Sequence, residues 1–338
     1  MLTRLLVTIV AVLAVMAAPA AQQPSQPAQP AQQPSQPPPP APRGEPGAAP
    51  TQGQPPAFRA GVDIVSLNVT VTDSAGRYVT DLSEADFQVF ESGAKQALTV
   101  FNRRENPIAL SLLLDSSASM EYKLPTLQAA ASNFVQRLKP HDIAEVVDFD
   151  GGVTVRQAFT SNHAELERGI QQMSAGGSTA LHNAIYTALK GLKKLQVPSS
   201  DEETRRQALI VFSDGQDTSS LVTFEDVLDL AKRSETAIYT IGLRDPHDQA
   251  RGFSSAEFVL RQLALETGGR SFFPSNISDL STVYGQIADE LSNQYSIGYV
   301  SSNQKRDGAW RPIVVQVTRQ NLTTRTKKGY FAPSASSR

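Results

Sequence analysis

Between residues 108 and 291, short and almost continuously apolar runs alternate with longer stretches in which apolar residues recur every three or four positions. That alternation constrains the fold more than anything else in the chain. The run at 108–114 is interrupted only by Ser111, so it has no polar face to turn to water and belongs to a strand covered on both sides. After it, Leu127, Ala131, Phe134 and Leu138 fall on one face of a helix. The same reading predicts strands over 143–149, 153–157, 208–212, 237–241 and 271–273, and helices over 164–173, 181–195, 224–233, 256–266 and 277–291. The expected architecture is α/β: a doubly wound, mostly parallel sheet over 106–292, with ligands bound beyond the carboxyl ends of its strands.

The flanks have a different period. Val65, Leu67, Val69 and Val71 alternate with polar residues and run into the turn Asp73-Ser74-Ala75-Gly76, which predicts a hairpin. Two more strands are expected at 87–90 and 97–101, around Glu91-Ser92-Gly93. The segment 58–105 is too short to bury a core of its own. β character returns at 295–300, 312–318 and 323–331, so 293–333 is expected to pair with 58–105. Together they would form a small all-β domain into which the α/β domain is inserted.

The N-terminus reads as targeting and tether. Arg4, the apolar run 5–16 and Ala18-Pro19-Ala20 have the order of a secretory signal peptide, assigned to 1–21. The alternative is an uncleaved anchor, but a membrane span usually needs roughly 20 apolar residues. Residues 22–57 are almost wholly Pro, Gln, Ala, Ser and Gly, which gives a disordered linker with polyproline II character. The chain contains no cysteine, so neither a disulfide nor a lipidated thiol can brace or anchor it. Its 31 basic and 33 acidic residues are dispersed, with a net charge of -2, which argues against a nucleic-acid surface or a polybasic membrane patch. The expected location is outside the cytoplasm, in the periplasm, at the cell surface or beyond it, with no membrane span after signal cleavage.

At the end of the first buried strand stands Asp115-Ser116-Ser117-Ala118-Ser119, which puts a carboxylate and two hydroxyls on one loop. Hard oxygen donors of this kind suit Mg²⁺, Mn²⁺ or Ca²⁺. In isolation the same residues are ordinary turn and helix-cap residues. Their context is Gly176-Gly177-Ser178-Thr179-Ala180 before a later helix, and Ser213-Asp214-Gly215 closing the strand at 208–212. All three loops fall at the same sheet edge.

With these residues in place, the α/β segment resembles the von Willebrand factor A domains. Their metal-ion-dependent adhesion site has the pattern Asp-x-Ser-x-Ser, a loop threonine, and an aspartate before glycine. The resemblance implies a divalent cation, Mg²⁺ first and Ca²⁺ or Mn²⁺ as alternatives, held directly by Ser117 and Ser119. Asp115, Asp214 and Thr179 would act directly or through water. One coordination position would be left for a Glu or Asp carboxylate of a protein partner. It also implies that metal ligation can shift the last helix, 277–291. Asp217 and Asp148, near the same edge, are read as groups that support the ligands from behind or lie on the surface. In the flanks, Val79-Thr80-Asp81-Leu82, the stretch 86–90 and Lys328-Gly329-Tyr330-Phe331-Ala332 resemble a secreted bacterial family related to these domains.

Catalysis lacks candidates in the sequence. The four histidines, at 141, 163, 182 and 247, form no His-Glu-x-x-His pattern. Neither a Gly-x-Ser-x-Gly elbow nor a phosphate-binding Gly-x-x-x-x-Gly-Lys loop is present. His182 is read as a helix-surface residue. The function expected is therefore a non-enzymatic, metal-dependent protein-binding module for adhesion or assembly. The alternative is a scaffold, or an accessory subunit of an envelope complex, in which the metal only braces the loops. The identity of the partner and the oligomeric state stay open.

Overall fold

A computed structural model describes residues 63–103, 106–195, 205–214, 216–243 and 255–334. The signal peptide and linker read at 1–21 and 22–57 lie outside the described residues, as do 58–62 and Gly215. Four strands come first: β1 (Ile64–Asp73), β2 (Phe87–Glu91), β3 (Ala94–Gln96) and β4 (Leu98–Asn102). A strand and helix alternation follows through β5 (Ile108–Asp115), α1 (Leu124–Val135), β6 (Ile143–Phe149), β7 (Val153–Thr160), α2 (His163–Gln171) and α3 (Leu181–Lys194). It continues through β8 (Arg206–Ser213), α4 (Phe224–Arg233), β9 (Thr236–Gly242), α5 (Ser255–Thr267), β10 (Ser271–Phe272) and α6 (Leu280–Ser292). Four more strands close the described chain: β11 (Tyr295–Val300), β12 (Trp310–Val317), β13 (Leu322–Arg325) and β14 (Gly329–Phe331).

The central sheet has the order β10-β9-β8-β5-β6-β7 and is parallel except for β7, which runs antiparallel at one edge. Every residue of β5 is buried, as its unbroken apolar run requires. Ile108, Leu110, Leu112 and Leu114 face one layer of helices, formed by α1, α2 and α6. Ala109 and Leu113 face the other, formed by α3, α4 and α5. Helix starts are fixed locally: the Asn162 side chain accepts the Ala164 N–H at 3.0 Å at the head of α2, and Thr223 and Asp226 cap each other's backbone at the head of α4. The edge strand β7 runs on to Thr160, past the end of its apolar pattern, because its pairing with β6 resumes beyond an irregularity at Val146. From β5 the chain passes to β6 on one side and later returns to β8 on the other. The helices that follow β5 and β8 therefore pack on opposite faces of the sheet, which makes the ends of these two strands its switch point.

The flanking strands form two four-stranded sheets, β13-β1-β11-β4 and β14-β12-β2-β3, which enclose a separate apolar core. Val65, Leu67, Val69 and Val71 of β1 meet Phe87 and Val89 of β2, Tyr295 and Ile297 of β11, and Ile313 and Val315 of β12. Three details differ from the strands expected. The turn at 73–76 forms, with Gly76 at φ +75°, but the returning chain makes only the single bridge Thr72–Tyr78 rather than a second strand. The hairpin partner of β2 is the short β3, and β4 crosses to the other sheet to pair with β11. The change of sheet is pinned by the buried Gln96 amide, which accepts the Ser302 N–H at 2.9 Å and donates to Ser302 Oγ at 3.0 Å. Likewise the stretch 323–331 divides, β13 pairing with β1 and β14 with β12.

A buried polar knot joins the sandwich to the α/β layers. The Glu290 carboxylate on α6 accepts Tyr239 Oη–H at 2.8 Å and Thr70 Oγ–H at 3.4 Å, and it pairs with Arg325 of β13. Gln294 donates to both Tyr239 Oη, at 3.1 Å, and Thr70 Oγ1, at 3.3 Å. Arg206, at the start of β8, donates to Leu291 O at 2.8 Å and Gln294 Oε1 at 3.2 Å. Among the described residues no helix is long and apolar enough to cross a membrane.

Candidate metal centre

The first loop begins where β5 ends, at a fully buried Asp115. Its Oδ1 accepts the Ser117 N–H at 2.9 Å and its Oδ2 accepts the Ser213 hydroxyl at 2.6 Å, so one carboxylate ties the β5 loop to the end of β8. Burial pushes the Asp115 carboxyl above the usual carboxylate range. The hydrogen bonds from Ser117 and Ser213 pull it back, and the Asp214 charge pushes it up again. The chain then turns through a short 3-10 helix at Ala118–Met120. That turn brings Ser117 Oγ and Ser119 Oγ to 3.1 Å, and the Ser119 hydroxyl donates to Asp214 Oδ1 at 2.7 Å. The other Asp214 oxygen is paired with the Lys123 ammonium.

The Thr179 loop is fastened to both of these loops by backbone. Ala118 N–H donates to Gly177 O at 3.1 Å, and Gly176 N–H to Ser116 O at 2.8 Å. On the other side, Thr218 N–H donates to Thr179 O at 2.8 Å, while Thr179 N–H donates to Thr218 Oγ1 at 3.0 Å. Gly177 sits at φ +73°, and a Cβ there would come within 3.3 Å of the Asp150 carboxylate, so this approach of loop to strand end needs glycine.

Asp115, Ser117, Ser119 and Asp214 thus form one connected set of oxygens, with Thr179 on a loop stitched to both sides of it. Among the described residues no three His, Cys, Asp or Glu side chains cluster. The side chains brought together are the carboxylates of Asp115 and Asp214 and the hydroxyls of Ser117 and Ser119, a hard set that suits Mg²⁺ or Ca²⁺ rather than a thiophilic metal. The spacings of 3.1 Å and 2.7 Å along the Ser117, Ser119, Asp214 series are those of hydrogen bonds between hydroxyl and carboxylate oxygens. A cationic group already lies against the set in the form of Lys123. The residues fit a hard divalent cation.

The two supporting aspartates have other partners. Asp148 lies on β6 and is paired with Arg156 of β7, with Nε at 2.8 Å. Asp217 accepts the His182 N–H at 3.2 Å, in the first turn of α3, and the Ser220 hydroxyl at 2.5 Å. It caps α3 and braces the loop after β8. His182 is half-buried, with its ring 3.6 Å from Asp217 and packed near Phe224, so the surface reading of this residue is corrected. Lys123 and Ser213 escaped the sequence reading, although each left a signal. Lys123 is one helical turn beyond Ser119, and Ser213 directly precedes Asp214.

The family model described as "von Willebrand factor type A domain" matches residues 110–216, an interval that contains all five proposed ligands. A UPF0353 protein of Mycobacterium marinum is 25% identical over 224 residues, which cover 60% of this chain and 66% of the relative. This chain therefore spans just under two thirds of that protein's length. Inter-alpha-trypsin inhibitor heavy chain H1 of Sus scrofa is 26% identical over 219 residues, covering 61% of this chain and 23% of that one. Among solved structures, a von Willebrand factor type A protein from Catenulispora acidiphila aligns with a TM-score of 0.46 and 12% identity, over 82% of this chain and 76% of its own.

Proposed function

We propose that this chain, whose residues 110–216 match the von Willebrand factor type A domain model, is a metal-dependent protein-binding module. In this reading Ser117, Ser119, Asp115, Asp214 and Thr179 hold a divalent cation, Mg²⁺ first. The ion's free position takes a carboxylate from a partner. The observation that carries the reading is the hydroxyl and carboxylate series Ser117, Ser119, Asp214, gathered from two loops at the switch point of the sheet. A cation held largely by neutral hydroxyls keeps enough charge to attract a further anion.

The scaffold alternative is weaker, because backbone hydrogen bonds already fasten the three loops to one another without help from an ion. The signal-like residues 1–21 support a place outside the cytoplasm, which mass determination of the mature N-terminus would check.

The metal reading is tested by calorimetric titration of Mg²⁺, Ca²⁺ and Mn²⁺ into the chain and into the double variant Asp115→Ala, Ser117→Ala. Saturable binding is expected in the first and none in the second, with unchanged circular dichroism. A wild type that takes up none of the three ions would remove the proposal.

A further inference from the structure

We infer that Lys123 is a built-in counter-cation that closes the metal-free site and has to be displaced when a divalent ion enters. This rests on the reading of the centre as a metal site and adds a device to it. The ammonium of Lys123 pairs with Asp214 Oδ2, while Asp214 Oδ1 takes the Ser119 hydroxyl. Both oxygens of a carboxylate that is 2% exposed are therefore engaged, one of them by a full positive charge.

Two features make this pairing exchangeable rather than merely structural. The Lys123 side chain is 38% exposed, so its flexible stem has solvent to swing into once Asp214 is otherwise neutralised. Asp214 has no such freedom, because it follows directly on β8 and is buried. The lysine is also placed by its own helical turn: Lys123 N–H donates to Met120 O at 2.8 Å, which sets its side chain over the loop that carries Ser117 and Ser119.

The consequence is competition between a tethered monovalent cation and a free divalent one for the same carboxylate. Without an ion, Lys123 removes the penalty of a buried and unpaired Asp214, and the site keeps its shape. With an ion, the ammonium leaves Asp214 and adds a mobile positive charge to the rim, beside the position that an acidic partner would occupy. Wild-type affinity for the ion is then lower than the donor set alone would give.

The experiment compares Mg²⁺ and Mn²⁺ titrations of the wild-type chain with those of Lys123→Met, which keeps the stem and removes the charge, and Lys123→Arg, which keeps a charge. Lys123→Met is expected to bind about tenfold more tightly, the worth of one partly buried charge-assisted hydrogen bond. Lys123→Arg should stay near the wild type. Equal affinities in the wild type and Lys123→Met would overturn the inference and leave the metal site standing, whereas no binding in any of the three would remove both. If Lys123→Met does not fold, the wild type still decides the matter. With its lysines ¹³C-methylated, the resonance assigned to Lys123 by its loss in Lys123→Arg should move when Mg²⁺ saturates the site, and a resonance that stays fixed at saturation contradicts displacement.

Discussion

At the scale of single residues, the site was legible where the chemistry is carried by residue type and spacing. Asp115, Ser117 and Ser119 sit on one loop, and Asp214 closes a strand; an apolar run ending in carboxylate and hydroxyls points to the sheet edge before any coordinates exist. The partners of those residues were not legible, because Lys123 and Ser213 are ordinary residue types whose roles depend on where two loops meet. Asp148 has one carboxylate oxygen paired with Arg156 across a strand pair, a partner that its sequence neighbourhood did not announce. Glu145 was silent in the sequence for the same reason. It lies buried on β6, with the Ser111 hydroxyl donating to it at 2.7 Å, and burial pushes its carboxyl above the ordinary range. The folded chain therefore holds a proton there more readily than the unfolded one. Stability from this group is complete below the unfolded pKa and is lost as pH rises through the raised folded value. Glu145→Gln is accordingly expected to stabilise the chain by about 1 kcal/mol at neutral pH, with the gain vanishing below about pH 4 in urea melts. A variant less stable than the wild type at pH 7 would show that the charged form is held by something other than Ser111.

At the scale of elements, the type of most elements followed from periodicity, and their assignment to sheets did not. The pattern of β1 fixes which of its residues face inward, but nothing in 87–102 marks the point at which the chain leaves β3 for β4. That point is set by Gln96 and Ser302, residues far apart in sequence. The last helix is the most instructive element. Leu280, Tyr284, Ile287 and Leu291 are buried as their spacing requires, and the helix also carries the fully buried Glu290. Glu290 is bonded to Tyr239 of the central sheet and paired with Arg325 of the sandwich. Any slide of α6 along the sheet has to break these bonds together. Arg325→Met would leave a buried carboxylate without its counter-charge and should cost roughly 3 kcal/mol in equilibrium unfolding, because removing one partner of a buried pair strands the other. A loss under about 1 kcal/mol would mean that the pair is exposed to water and is no anchor.

At the scale of the whole molecule, the two strand-rich flanks and the α/β layers between them are bound through shared polar contacts. The described residues form one compact unit. Unfolding is therefore expected to be a single cooperative event. The single tryptophan, Trp310, sits on β12 of the sandwich, with Lys232 of α4 over its ring at 4.1 Å, while the six α-helices of the described residues belong to the α/β layers. Tryptophan fluorescence and helical circular dichroism should then report one common urea midpoint, and two separated midpoints would show that the sandwich and the α/β layers fold independently. The insertion of one architecture into another was readable from the change in period near Pro107 and its return near Tyr295, but the knot of Glu290, Gln294 and Arg206 that couples them was not, since buried polar contacts leave no periodic trace. Binding of the ion is tested most directly by a crystal of the chain grown or soaked with Mn²⁺ and measured for anomalous scattering. A single strong peak bounded by Ser117, Ser119, Thr179, Asp115 and Asp214, with the Lys123 ammonium moved off Asp214, is the predicted result; the same crystal with Lys123 still on Asp214 and no peak at that sheet edge would contradict the account.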